Sequence, residues 1–195
     1  LLFLNNDVEI ITESWLEEML QLCQQKDVGM VGAKLYYPDD TIQHAGVVVG
    51  LGGVAAHVLC KLPRDAEGYM GRLRCVQEIS AVTAACMMVK TSVFKAVGGF
   101  DEELKVAFND IDLCMKVRKY GVKIVFTPYA ELYHYESKSR GMEDTPEKQL
   151  RFSREVNCFR RKWERELLKG DPYYNPNLTL NNTDCSLRKQ EKNGD

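Results

Sequence analysis

Apolar residues open the chain as a run, Leu1-Leu2-Phe3-Leu4, which delivers Asn5-Asn6-Asp7 at its end. Such a run reads as a buried central strand of a parallel type, and open α/β sheets bind ligands at the carboxyl ends of such strands. Trp15, Leu16, Met19, Leu20 and Leu22 then recur at helical spacing and predict a helix over 15–25, capped by Thr12 or Ser14. Short strands over 28–32 and 34–37, a Pro38-Asp39-Asp40 turn and a strand over 42–49 follow. Gly50-Leu51-Gly52-Gly53 breaks the regularity. Residues 57–74 mix Pro63, Gly68 and Gly71 with charges and predict a long loop over one face.

Order resumes with strands over 75–79 and 84–90 and a helix over 92–97 that stops at Gly98-Gly99. Asn109 or Asp110 caps the next helix, whose Ile111, Leu113, Cys114, Met115 and Val117 face inward and whose end carries Lys116, Arg118 and Lys119 before Gly121. Strands over 122–126 and 129–133 meet at Pro128. A final helix over 146–168 has Leu150, Phe152, Val156, Phe159, Trp163 and Leu167 as its buried stripe. Strands and helices in this alternation predict an α/β fold in one domain over 1–180, with a polar, disordered tail over 181–195. A central strand needs neighbours on both sides, and no earlier residues supply one of them. The chain therefore reads as part of a larger enzyme, truncated at its N-terminal side.

Composition narrows the function classes. The 195 residues are 45% hydrophobic, enough for a real core, and the formal net charge of −2 offers no global attraction for nucleic acid or an anionic membrane. No stretch approaches a membrane span. The seven cysteines show neither CxxC pairs nor zinc spacing with His44, His57 or His134, so free thiols in a reducing cytosol are expected.

Three positions carry candidate chemistry. Asp7 ends a strand beside Asn5 and Asn6, where a carboxylate ligates a hard cation such as Mg²⁺ or Mn²⁺, or simply closes a turn. Asp110 stands at a helix start, where the amides and dipole favour an anionic side chain; it serves as a cap or accepts a proton from a substrate hydroxyl. At Asp112, dipole compensation is explanation enough. His134 ends an aromatic strand before a polar loop holding Lys138 and Arg140, and is either a metal ligand or a satisfied histidine, while either cation suits a diphosphate. His44 and His57 flank the glycine-rich segment and line an opening. Gly50 to Gly53 has no Walker lysine and no complete GxGxxG.

The order of these pieces resembles the C-terminal two-thirds of a family-two nucleotide-sugar glycosyltransferase with the GT-A fold, of the bacterial kind that builds surface polysaccharides. Four blocks carry it: Leu2-Phe3-Leu4-Asn5-Asn6-Asp7; Ala84-Ala85-Cys86-Met87-Met88-Val89-Lys90 leading to Val97-Gly98-Gly99-Phe100-Asp101-Glu102; Phe108-Asn109-Asp110-Ile111-Asp112-Leu113-Cys114; and Tyr133-His134 before a loop with Ser and Arg. The resemblance implies a mixed sheet flanked by helices. It implies a Mg²⁺ or Mn²⁺ cofactor held by Asp7 and His134, with Asp110 as the base that drives inverting transfer to an acceptor hydroxyl. By the same resemblance Asp101, Ala84 and Arg140 lie near the donor, and Trp163 and His57 on the acceptor side. The implied partners are a nucleotide-diphosphate sugar and a glycan or lipid-linked acceptor, in the cytoplasm or at the inner face of the membrane.

Departures from the family pattern also shape the expectation. Asn5 replaces a first aspartate, Asn109 a glutamate and Ala84 a glycine, and Lys162 stands for an arginine in a segment that only loosely resembles the QxxRW element of processive synthases. A processive polymerase is not expected. Lacking the family's nucleotide-binding first third, the chain alone is expected to be inactive and to self-associate through its uncovered strand edge. A metal-dependent nucleotidyltransferase and a carbohydrate-binding or assembly module are the competing readings.

Overall fold

The computed structural model describes residues 1–136 and 145–189. Its strands are β1 (Leu2–Leu4), β2 (Val8–Ile10), β3 (Val28–Tyr36), β4 (Ile42–His44), β5 (Val47–Val49), β6 (Ala55–His57), β7 (Gln77–Glu78), β8 (Cys86–Val89) and β9 (Lys123–His134). The helices are α1 (Trp15–Cys23), α2 (Thr91–Ala96), α3 (Asn109–Lys119), α4 (Pro146–Lys162) and α5 (Glu164–Lys169). Seven strands form one sheet in the order β1-β8-β3-β9-β2, with β4 also beside β3 and β7 beside β9. Only the β3 and β9 pair among these runs parallel, so the sheet is mixed and flanked by helices, as the resemblance implies.

The central strand is β3, in which every residue is buried. A strand covered on both faces reads as an unbroken apolar run, and here the two predicted short strands are one. Its Val31, Ala33 and Leu35 pack under Trp15, Met19 and Cys23 of α1, while Met30 and Tyr36 face the larger core beneath α3. At Gly32 a Cβ would stand 2.3 Å from Val82 Cγ1. The missing side chain lets the segment that carries Ala84 cross close under the sheet.

Several expectations are corrected. The opening run pairs antiparallel with β8, Leu2 facing Met88, instead of running parallel to its neighbour, and Leu2 and Leu4 are 38% and 42% exposed. Only Phe3 turns inward, against Phe94 and Phe100. An apolar run of this length states that a strand forms, not which strands lie beside it. The strand expected over 42–49 is broken at Gly46, whose φ of +100° is a glycine conformation, so β4 joins the main sheet and β5 pairs with β6. Pro128 does not interrupt β9. It sits where the register shifts, between the Gly32–Phe126 and Lys34–Glu131 pairs, and a bulge tolerates its missing N–H.

The last helix breaks at Trp163, whose φ of −114° and ψ of 21° leave the helical region. Leu150 and Phe152 are largely exposed, so the inward stripe of α4 holds Glu155, Val156 and Phe159. Residues 181–189, expected in a tail, fold back on the domain. Thr179 N–H donates to Ser186 O (2.8 Å), Leu59 N–H to Thr183 O (2.6 Å), and Cys185 is buried.

Candidate active site

The chain ends of β1, β9 and β4 meet at one corner of the sheet. Val8 pairs with His134 across the β2–β9 ladder, and Tyr135 N–H donates to Asp7 O (2.9 Å), which sets Asp7 against the end of β9. There Asp7 Oδ1 lies 3.3 Å from His134 Nε2 without a hydrogen bond between them, and that oxygen is buried with no hydrogen-bond partner among the described residues. The reason lies on the far side of the imidazole.

His134 Nδ1 is 2.7 Å from Gln43 Oε1. The Gln43 amide nitrogen is already directed at two acceptors, His134 O (3.2 Å) and Glu136 Oε2 (3.4 Å), so the oxygen faces Nδ1 and the proton sits on Nδ1. Nε2 is left with a lone pair, which accepts from the Asn5 side-chain amide at 3.1 Å. Two electron-pair donors, a carboxylate oxygen and an imidazole nitrogen, thus face each other at the strand end. A cation between them removes the repulsion and satisfies the orphaned oxygen.

Asp110 comes from the opposite side of the corner. Phe108 occupies the N-cap position of α3 with a left-handed φ of 63°, so Asp110 lies within the first turn rather than capping it. Its Oδ1 accepts from the N–H of Ile111 (2.8 Å) and its Oδ2 from the N–H of Ala84 (3.2 Å). Asn5 N–H donates to Ala85 O (3.0 Å), which joins the Asp110 side to the Asp7 side. His57 lies within electrostatic reach of Asp110, Glu136 and His134. Burial lowers its pKa, opposed by the carboxylates of Asp110 and Glu136 and assisted by His134.

A deeper network positions this corner. Asp112, expected only to compensate the dipole, is fully buried and accepts from Trp163 Nε1 (2.8 Å) and Lys162 Nζ (2.8 Å), with Lys116 Nζ at 3.3 Å. Lys162 also bonds Asp101, lowering the Asp101 pKa; burial works against the ammonium, but its two carboxylate partners raise it overall. Trp163, expected on the acceptor side, is only 4% exposed and offers an acceptor no surface; it is an anchor for α3. Asp101 is likewise engaged with Lys162 and with Glu103 N–H (3.0 Å). Arg140 and Lys138 lie outside the described residues.

Two side chains that hold the corner in place escaped the sequence reading. Glu155 is buried, and its carboxylate accepts the backbone N–H groups of Lys105 (3.0 Å), Val106 (3.1 Å) and Ala107 (2.9 Å), pinning the loop that delivers Asp110. A charged residue on the apolar stripe between Phe152 and Phe159 was the available signal. Gln43, which sets the His134 tautomer, left none. Among the described residues no group of three or more His, Cys, Asp or Glu is placed to hold a metal, so the Asp7–His134 pair is the candidate.

A cavity of about 960 Å³ elsewhere is lined by Lys34, Asp40, Arg64, Arg74 and Glu131, among others, and contains none of the candidate residues. Arg64 there is paired with Asp40 and Glu131.

Residues 1–154 match the family model described as Glycosyltransferase like family 2. The chain is 58% identical over 184 residues to the uncharacterized protein y4gI of Sinorhizobium fredii, covering 94% of this chain and 20% of that protein. It is 41% identical over 196 residues to the O-antigen biosynthesis protein RfbC of Myxococcus xanthus, covering 100% of this chain and 15% of RfbC. A shorter match, 36% over 62 residues, joins it to N-acetylglucosaminyl-diphospho-decaprenol L-rhamnosyltransferase of Mycobacterium tuberculosis, covering 32% of this chain and 20% of that enzyme. The chain thus spans a fifth or less of the length of the first two relatives. With the family match running over residues 1–154, from β1 into α4, this chain belongs to the family 2-like glycosyltransferases.

Proposed function

We propose that this chain carries the acceptor-activating and cation-binding part of an inverting glycosyltransferase, acting on a nucleotide-diphosphate sugar in polysaccharide synthesis. The observation that supports this most directly is the convergence of Asp7, His134 and Asp110 on one corner, with an orphaned carboxylate oxygen facing an imidazole lone pair. Mg²⁺ or Mn²⁺ suits that pair, because hard divalent cations are often held by one or two protein groups and share the remaining positions with water and substrate phosphates. When bound, the ion supplies positive charge for the departing diphosphate.

Asp110 is the base. It takes the proton of an acceptor hydroxyl as the oxygen attacks the anomeric carbon, and the bond from that carbon to the diphosphate oxygen breaks on the opposite face with inversion. The nucleoside diphosphate leaves with the electron pair. The N–H groups of Ile111 and Ala84 hold the Asp110 carboxylate in place for this step. General-base assistance of this kind contributes about 10²- to 10⁴-fold.

The names of the relatives support a lipid-linked or glycan acceptor, and the donor chemistry supports a cytoplasmic location, at the inner face of the membrane for a lipid-linked acceptor. No described helix is long and apolar enough to cross a membrane. The free outer edge of β1, with Leu2 and Leu4 exposed, supports self-association of the isolated chain, which light scattering at rising concentration tests.

The decisive experiment supplies candidate donors and acceptors to the protein containing this chain and follows the product. Release of nucleoside diphosphate with a β-to-α or α-to-β change at the sugar, slowed at least a hundredfold by Asp110→Asn, is the expected result. Release of pyrophosphate, or full activity of the variant, overturns it.

A further inference from the structure

His44 and His57 form a pair that the transfer chemistry above does not use. His44 closes β4 with its ring fully buried, and its Nδ1 lies 2.8 Å from the Nδ1 of His57, which closes β6. A hydrogen bond between two identical ring atoms holds one proton, so one Nδ1 donates and the other accepts. The two rings therefore hold opposite tautomers.

One feature chooses between the alternatives. Were His57 the donor, His44 would carry its proton on Nε2, which is buried and has no hydrogen-bond partner among the described residues. A buried N–H without an acceptor is rarer in folded proteins than an under-satisfied acceptor. With His44 as donor, that nitrogen keeps only a lone pair, and His57 carries its own proton on Nε2.

We propose that His44 is a positioning residue that locks His57 as an Nε2–H hydrogen-bond donor, and that this N–H binds an oxygen of a polyhydroxyl acceptor beside Asp110. The lock stands on the geometry alone, while the acceptor role rests on the glycosyltransferase reading. Burial holds both rings neutral, well below the ordinary histidine value at His44 and lower than ordinary at His57. A neutral N–H orients an acceptor without offering it an acidic proton, which leaves deprotonation to Asp110.

Long-range ¹⁵N–¹H correlation on the histidine-labelled protein at neutral pH reads the tautomers directly. The expected pattern for His57 is a protonated Nε2 and an unprotonated Nδ1. His44→Asn, whose amide N–H replaces the Nδ1 donor, keeps that pattern, and His44→Leu loses it. The opposite tautomer in the wild-type protein, or a His57 pattern unchanged in His44→Leu, overturns the lock.

Kinetics test the second half. His57→Leu raises the acceptor KM about tenfold, the scale of one neutral hydrogen bond, and His57→Gln, which retains a side-chain N–H, recovers part of it. An acceptor KM unmoved in His57→Leu, or raised equally in both variants, overturns the acceptor role. Failure of the transferase reading shows separately, as wild-type protein that releases no nucleoside diphosphate from any donor. That result removes the acceptor half and leaves the tautomer lock to be decided by the NMR result.

Discussion

Trp163 donates its indole N–H to the fully buried carboxylate of Asp112 across 2.8 Å, and so fastens the break between α4 and α5 to the helix that carries Asp110. Lys162, the residue before it, reaches the same carboxylate and Asp101 as well. Substitution Trp163→Phe keeps most of the packing and removes one donor from a buried anion. A loss of about 1 to 3 kcal/mol is expected. In a chain of this size each kcal/mol lowers Tm by roughly 2 to 4 °C, so thermal unfolding followed by circular dichroism resolves it.

Glu155 receives three backbone amides from the loop ahead of α3. Glu155→Gln keeps the shape but turns one accepting oxygen into an NH₂ group that faces N–H donors. Stability should fall by about 1 to 3 kcal/mol, and the turnover number should fall with it because the loop ending at Phe108 positions Asp110. An unchanged turnover number in a variant that is measurably destabilised separates the loop anchor from any role in placing the base.

Gln43 touches the candidate cation site only through His134. Removing the partner that fixes a ligating imidazole typically costs 10- to 100-fold, roughly, in metal affinity. Titration of Mn²⁺ in the presence of a nucleoside diphosphate should show that loss in Gln43→Leu and a larger one in Asp7→Ala. Equal Mn²⁺ affinity in Gln43→Leu and wild type would mean that His134 is not a ligand.

The pair of buried His44 and half-buried His57 makes stability depend on pH with a definite sign. Their folded pKa values lie below the ordinary value of 6.5, so the unfolded chain binds protons first as pH falls. Stability is therefore full above about 6.5 and declines below it, by up to about 1.4 kcal/mol per pH unit per histidine, until the folded pair itself protonates. Asp110, Glu136 and His134 face the pair, and the two carboxylates moderate the effect at His57. Urea denaturation at pH 7 and pH 5 should show a smaller pH difference in the His44→Asn, His57→Gln double variant than in wild type.

Along the chain, periodicity determined much about this protein. The helical spacing of Trp15, Met19 and Leu22, the strand character of 28–32 and 34–36, and the polar residues Asp7, Asp110 and His134 at element ends were all legible, because each depends on near neighbours in sequence. Tertiary structure alone decided which of these segments meet. It paired the opening strand antiparallel with β8, buried Trp163 on Asp112, and set Gln43 behind His134. The partners concerned are 51 and 91 residues apart, and the Asn5–His134 contact joins residues 129 apart. Hydrophobic spacing records which face of a segment is buried; it carries no record of the distant side chain against which that face comes to rest.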